Sequence, residues 1–538
     1  MNRHSLSLSH LFPLILVIVL LGSGRISYGA SGTSYRIDKD TAGHIEVTDH
    51  ILNLSIISND PNTYKAEYEA GFIQGRLQKD QIIATRDNLW DSAFLTDQSP
   101  TFVKKIPPSA QEIVAAKAAL LANYNYTLAY VQKTTDKKLQ TRLQRLMYRL
   151  LGIYHGAKLK TPAVLKFGND AFPLASYFSK EEMVLAYETP ALTFMDIYFI
   201  NGFMDLFDVL DSEHLPKCSA FVKKTGDDIF ITHNSWMSFL DQSGATTYYI
   251  NGDYLTVNTA FPGFIGSATD FGYNNKGIMF NETTHHATFT KPKTNALWMY
   301  LRGTLAEQFA SSLDEFYELV SLEASGTYMN GYMIVDTKTK EIGIVEMSYK
   351  NFVYFKPDGA KGYQVITKPE GLSKEYDKKL LQPDYILGVN YPISKQIAND
   401  LKAIDNRPLR RIQFIAQIGG VKDIESAKKL ITYTAPNEPL SIYGRWDLGY
   451  GTTPTPRTLP DGAADAKAVS AKMTSYVSSL KGVLDLKSKN HAFWMKLGSA
   501  KIKGKPFIWS QSKWKGQKLR DVPDAIDGNF HYLNTYIN

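Results

Sequence analysis

Cys218 is the only cysteine among 538 residues, so no internal disulfide can staple this chain and its fold must be held by burial. The composition suits that demand. Apolar residues make up 44% of the sequence and charged residues 21%, with 32 Tyr and 27 Phe, enough for one large core or a few domains. The 60 basic and 53 acidic residues leave a formal charge of +7. That excess is too mild and scattered to indicate nucleic acid, and it allows at most peripheral contact with an anionic membrane.

The opening "MNRHSLSLSHLFPLILVIVLLGSGRISYGASG" joins a basic start at Arg3 to an apolar run from Leu11 to Leu21 and small residues at Ser27 and Gly29. This pattern predicts a signal peptide over residues 1–29, cut after Gly29. The run falls short of the roughly 20 residues that span a bilayer. Export follows as the expectation, with periplasm, medium and lysosome left open. In an oxidising compartment a lone thiol is buried and inert, paired with another chain, or reactive.

The texture of the chain changes at Cys218. Residues 30–217 carry mostly helical patterns, as in "TYKAEYEAGFIQGRLQKDQIIATRDNLWDSAF", where apolar residues recur at spacings of three and four. Beyond Cys218, "DDIFITHNSW", "TTYYINGDYLTVNTA", "KGIMFNETTH" and "NGYMIVDTKTKEIGIVEMSYKNFVYFKPDG" read as short strands, the last as two strands joined by "DTKTKE". Helical patterns return at "ALWMYLRGTLAEQFASSLDEFYELVSL", "RPLRRIQFIAQI" and "AADAKAVSAKMTSYVSSLKGVL". Strands flanked by helix blocks predict an α+β layered fold.

On composition alone a single cysteine reads as a small buried hydrophobe. Its neighbours shift that weight. His233 and Asn234 fall where the hairpin strand following Cys218 would end, and Asn281 closes another strand. A thiol, an imidazole and amide donors on adjacent strands can make a nucleophile with an oxyanion site. Glu282, His285 and His286 in "NETTHH" fit no strong zinc spacing, and on a strand the two histidines face opposite sides, so no metal is expected. No G-x-S-x-G elbow, P-loop or G-x-G-x-x-G is present, and no cofactor is expected. Asn53, Asn125 and Asn281 head glycosylation sequons.

The stretches "AEYEAGFIQGRLQKDQI", "DIYFINGFMDLFDVL", "CSAFVKKTGDDIFITHNSW", "TAFPGFIGSATDFGYNNKGIMFNETTH", "EASGTYMNGYMIVD", "APNEPLSIYGRWDLGYG" and "KPFIWSQS" together resemble the phospholipase B-like proteins. These are N-terminal nucleophile hydrolases, distantly similar to choloylglycine hydrolases and penicillin acyltransferases. The resemblance implies a four-layer αββα sandwich whose precursor cuts itself between Lys217 and Cys218. A helical region, 30–217, would stay associated with a catalytic region, 218–538. It implies that His233 orients or activates the thiol and that Asn281 supplies an oxyanion donor. Asn330 matches the second Asn of the family's "SGTYNNQWM", where Met329 departs from the first. Asn234, Thr327 and Arg445 are candidate supporting residues. The implied substrate is an acylated lipid or an N-acyl amide, and a secreted binding protein that merely keeps the fold is the competing reading.

Overall fold

The computed structural model describes residues 25–535 apart from 30–31, 95–109, 169–177, 188, 211–217, 242, 406, 436–439, 445–460, 476–489, 499–505, 513, 517 and 527. Lys217, Arg445 and most of the expected signal segment lie outside the described residues.

Two large sheets form the centre. One contains, in spatial order, the strands Arg25–Gly29, Gly32–Arg36, Thr41–Thr48, Ile51–Ser58, Gly244–Ile250, Tyr254–Ala260, Phe271–Asn274, Ile278–Thr284, Asn330–Asp336, Glu341–Met347, Phe352–Pro357 and Tyr363–Lys368. The other runs Leu381–Gln382, Tyr385–Gly388, Ser219–Thr225, Asp228–Asn234, Asp465–Ser470, Asn490–Leu497 and His531–Thr535. The expected strands after Cys218 are all present. Ile278–Thr284, Asn330–Asp336 and Tyr254–Ala260 are buried along their whole length, as strands covered on both faces must be.

The layers follow from which side each residue faces. Along Tyr254–Ala260, Tyr254 and Ala260 join a core shared with the helices Thr63–Leu77, Lys137–Lys158, Phe194–Val209 and Met299–Phe309. Leu255 and Val257 face the opposite core, shared with the second sheet through Ala220, Val222 and Ile231. The outer face of that second sheet carries the helices Pro408–Gln417 and Ile424–Ile431, with Phe414 edge-on to Phe221. Helix, sheet, sheet and helix therefore stack as a four-layer αββα sandwich. No helix among the described residues is long and apolar enough to cross a membrane.

The segment before Cys218 is mostly helical, as expected, with Thr63–Leu77, Lys79–Phe94, Ala110–Lys133, Lys137–Lys158 and Phe194–Val209. Two features depart from the sequence reading. Ahead of those helices, Gly32–Arg36, Thr41–Thr48 and Ile51–Ser58 extend the first sheet. Asp49 and His50 both adopt positive φ, 47° and 68°, the conformation of a two-residue hairpin turn whose twist matches its strands. The last of these strands pairs in parallel with Gly244–Ile250, from Asn53 opposite Ala245 to Ser58 opposite Ile250. The stretch "ADAKAVS" is likewise not helical. Asp465–Ser470 is a fully buried strand between Asp228–Asn234 and Asn490–Leu497, so tertiary pairing overrides the helix propensity of its alanines.

The helices Thr63–Leu77 and Lys137–Lys158 approach at glycines four apart in each. A Cβ added at Gly75 would collide with the Ile153 carbonyl oxygen, and one at Gly156 with that of Phe72. Backbone cannot retreat as a side chain can. Gly75→Ala and Gly156→Ala are each expected to destabilise the chain by about 1–3 kcal/mol through overpacking. Chemical denaturation checks this: an unchanged midpoint for both would show that the helices can part.

Candidate active site

Cys218 sits at the head of Ser219–Thr225, a central strand of the second sheet, where Ser219 lies opposite Asn234 and Ala220 opposite His233. The hairpin thus returns His233 to the cysteine, as the sequence spacing predicts. Cys218 is 8% exposed. Its carbonyl accepts a hydrogen bond from the fully buried Arg410, which also donates to Asn390 Oδ1 at 2.6 Å and to Val389 O. This guanidinium on the outer helix fixes the backbone at the thiol.

Cys218 Sγ, a ring nitrogen of His233 and a carboxylate oxygen of Asp270 all lie within 4.8 Å of one another. Asp270 precedes the strand Phe271–Asn274 and has φ 59°, a left-handed conformation that aspartate tolerates better than most residues. The Tyr328 hydroxyl lies 2.6 Å from both Asp270 Oδ2 and Glu282 Oε1, and its single proton can go to only one of them. Behind this group, Lys467 lies opposite His233 in the sheet. Its ammonium donates to Ser235 Oγ at 2.7 Å, Thr269 O at 3.0 Å and Asp465 Oδ1 at 2.7 Å. Asp465 also accepts from Ser235 N at 2.9 Å and Ser243 Oγ at 2.6 Å.

The electrostatics set a resting protonation pattern. Burial pushes the Cys218 thiol up to about 11, with the charge of Asp270 adding to the effect. Burial drives the His233 imidazole well below its ordinary range, and the Lys467 ammonium pushes the same way. At neutral pH the pair therefore rests as a thiol beside a neutral imidazole, and both shifts oppose proton transfer between them in the resting state. Burial also raises Asp270, and it raises Glu282 well above the carboxylate range with Asp270 as the second cause. Two buried carboxyls joined through one tyrosine do not both ionise readily.

The other sequence-predicted residues are distributed around this centre. Asn281 crosses between the sheets and donates to Phe221 O at 3.2 Å and Thr232 O at 2.8 Å, which uses both of its N–H donors. Asn234 donates to Ile431 O at 2.9 Å and Ile442 O at 3.0 Å, tying the hairpin to the outer layer. Thr327 donates to Asp205. Asn330 is fully buried opposite Thr284, and its side-chain amide has no hydrogen-bond partner among the described residues. His285 Nε2 lies 3.9 Å from Glu346 Oε1, and His286 Nδ1 lies 3.1 Å from Ile404 O, so the "NETTHH" histidines point to different surroundings.

Sequence reasoning missed Asp270, Tyr328, Arg410 and Lys467. The trio of Cys218, His233 and Asp270 has the ligand types of a cation site, yet the adjacent Lys467 ammonium opposes a second positive charge. Of the three sequons, Asn53 is 2% exposed and hydrogen-bonded to Glu46 and Asn534, and Asn281 is fully buried. Asn125 is exposed on the helix Ala110–Lys133.

A cysteine heading a central strand thus lies buried between the two sheets of an αββα sandwich. Residues 46–531 match the Phospholipase B family model, and the chain belongs to that family. It is 24% identical over 357 residues to Phospholipase B of Crotalus adamanteus, covering 56% of this chain and 62% of that one. It is also 24% identical over 347 residues to Phospholipase B-like 1 of Homo sapiens, covering 56% and 60%. The chain thus spans about three-fifths of the length of these relatives. Among solved structures it is similar to a variant of conjugated bile acid hydrolase from Clostridium perfringens, with 12% identity and a TM-score of 0.28, covering 59% of this chain and 98% of the other.

Proposed function

We propose that this chain is an exported acyl hydrolase that cuts itself before Cys218 and then uses Cys218 as an N-terminal nucleophile on amide or ester bonds of lipid-like substrates. The mutual placement of Cys218 Sγ, His233 and Asp270 within 4.8 Å carries the reading. Family membership supports it.

In the uncut chain the Cys218 nitrogen is an amide and cannot act as a base, so neutral His233 takes the thiol proton. The thiolate adds to the Lys217 carbonyl carbon, the Lys217–Cys218 C–N bond breaks, and the nitrogen leaves as an amine after gaining a proton. Water then hydrolyses the Lys217 thioester, giving a carboxylate and restoring the thiol. The freed α-amino group has an intrinsic pKa of about 7.7–8.0, suited to proton transfer near neutrality. In turnover the thiol takes the substrate's acyl group, the amine or alcohol departs with a proton, and water releases the acid. Arg410 holds the Cys218 carbonyl during these steps. With both N–H donors of Asn281 engaged, its role here is to keep the sheets in register beside His233.

Processing would not part the two pieces. The parallel ladder between Ile51–Ser58 and Gly244–Ile250 and the shared helical core both span the cut. Mass spectrometry of mature protein is expected to find one chain beginning at Cys218 and another ending at Lys217, and the two are expected to co-elute on a native sizing column. An intact mature chain, or cutting far from Lys217, would remove the self-cleaving reading and leave a binding protein with this fold.

A further inference from the structure

A cleft opens on the helical side of the first sheet. Its walls include Phe264, Asp270, Tyr300, Glu307, Tyr328 and Tyr332. Asp270 belongs both to this wall and to the trio with Cys218 and His233, so one side chain links the cleft to the thiol, although Cys218 itself does not line it.

Glu307 is the unexplained group. It is 2% exposed, and its Oε2 accepts from Ser267 N at 2.8 Å. Its Oε1 has no hydrogen-bond partner among the described residues, though it borders the cleft close to Gly303. No lysine or arginine lines the cleft among the described residues. A carboxyl held in this wall by one backbone donor, with no basic side chain beside it, gains a strong partner if a cation enters the cleft.

The geometry points to a subsite for a positively charged ammonium group on the substrate, held by Glu307 with the aromatic faces of the cleft around it. Carboxylate plus aromatic walls is the chemistry that recognises ammonium. A metal ion fits less well: Glu307 does not belong to the group of clustered ligand atoms found among the described residues. Asp205, on the same wall, already accepts from Met299 N at 2.6 Å, Tyr300 N at 3.2 Å and Thr327, which leaves Glu307 as the free acceptor.

Protonation supplies the readout. Burial lifts Glu307 to about 8, with Asp270 adding to it, so near neutrality a proton occupies the place the ammonium would take. The other titratable groups facing it are Tyr332 on the adjacent strand, Tyr328 beside Asp270, and Asp205 and Tyr300 across the cleft. Because a bound cation favours the ionised carboxyl, affinity should rise with pH through the Glu307 pKa and level off above it.

The subsite rests on the acyl-hydrolase reading for its purpose, but its test is binding without turnover, so either can fail alone. Ethanolamine titrated into the full-length protein by calorimetry is expected to saturate, with affinity rising roughly 50- to 100-fold between pH 6 and 8.5 for a carboxyl at about 8, while uncharged ethylene glycol does not bind. Glu307→Gln, nearly isosteric and checked for an unchanged melting profile, is expected to lose the pH dependence and at least about tenfold in affinity at pH 8.5. Equal binding of ethylene glycol, no saturation, or an unchanged Glu307→Gln protein would overturn the proposal. Preference for phosphatidylethanolamine over phosphatidylglycerol vesicles would assign the ammonium to a lipid headgroup. Preference for an N-acyl diamine over an N-acylethanolamine would assign it to an amine leaving group, and no preference in either comparison would count against the subsite.

Discussion

Cys218→Ala is expected to leave the chain uncut and without acyl hydrolase activity, because no side chain then remains to attack the Lys217 carbonyl. The substitution removes one sulfur from a site whose backbone is held independently by Arg410, so the fold should survive. Cys218→Ser separates the two tasks of the residue. A hydroxyl can make the same acyl shift but ionises far less readily than a thiol, so slow cutting with little or no turnover is expected. His233→Ala should keep the cysteine and lose activity by roughly 10² to 10⁴, the usual contribution of a positioned proton-transfer group. Release of fatty acid from phospholipid and from N-acyl amides, followed side by side, checks all three. If Cys218→Ala protein releases acyl groups at the wild-type rate, the chemistry lies elsewhere and the cysteine is an inert core residue.

The hairpin between Cys218 and His233 was legible because both residues sit on one local unit, two strands joined by a tight turn at Gly226, whose φ is 59°. Register within such a unit follows from chain length and the period of two. Asp270 was not legible, since it reaches the thiol only through packing of one sheet on the other. The strand at Asp465–Ser470 was hidden by its alanines, which read as helix until both faces are covered. The strands before residue 60 were missed for a related reason: Ile51–Ser58 gains its place by pairing in parallel with a segment almost 200 residues later, and no local pattern announces such a crossover. Asn281 shows the opposite case. Its position on a strand was read correctly, but its hydrogen-bond partners, two carbonyls of the facing sheet, belong to tertiary structure alone.

Lys467 is where that hidden tertiary structure concentrates its energy. Lys467 and Asp465 are both fully buried and 2.7 Å apart, and each satisfies its remaining valences on Ser235, Thr269 and Ser243. Removing one partner of such a pair leaves the other charge buried and uncompensated, at a cost of about 3–5 kcal/mol. Lys467→Met is therefore expected to lower stability by about that amount in chemical denaturation, and to depress activity further because Thr269, held by Lys467, immediately precedes Asp270. Asp465→Asn alone should also destabilise, since it strands the ammonium. The double variant Lys467→Met with Asp465→Asn should be clearly more stable than the sum of the singles predicts, because neither charge is then left alone. Strict additivity, or a Lys467→Met protein with an unchanged midpoint, would mean that the pair does not hold the site together and that Ser235 and Thr269 are fixed by the sheets themselves.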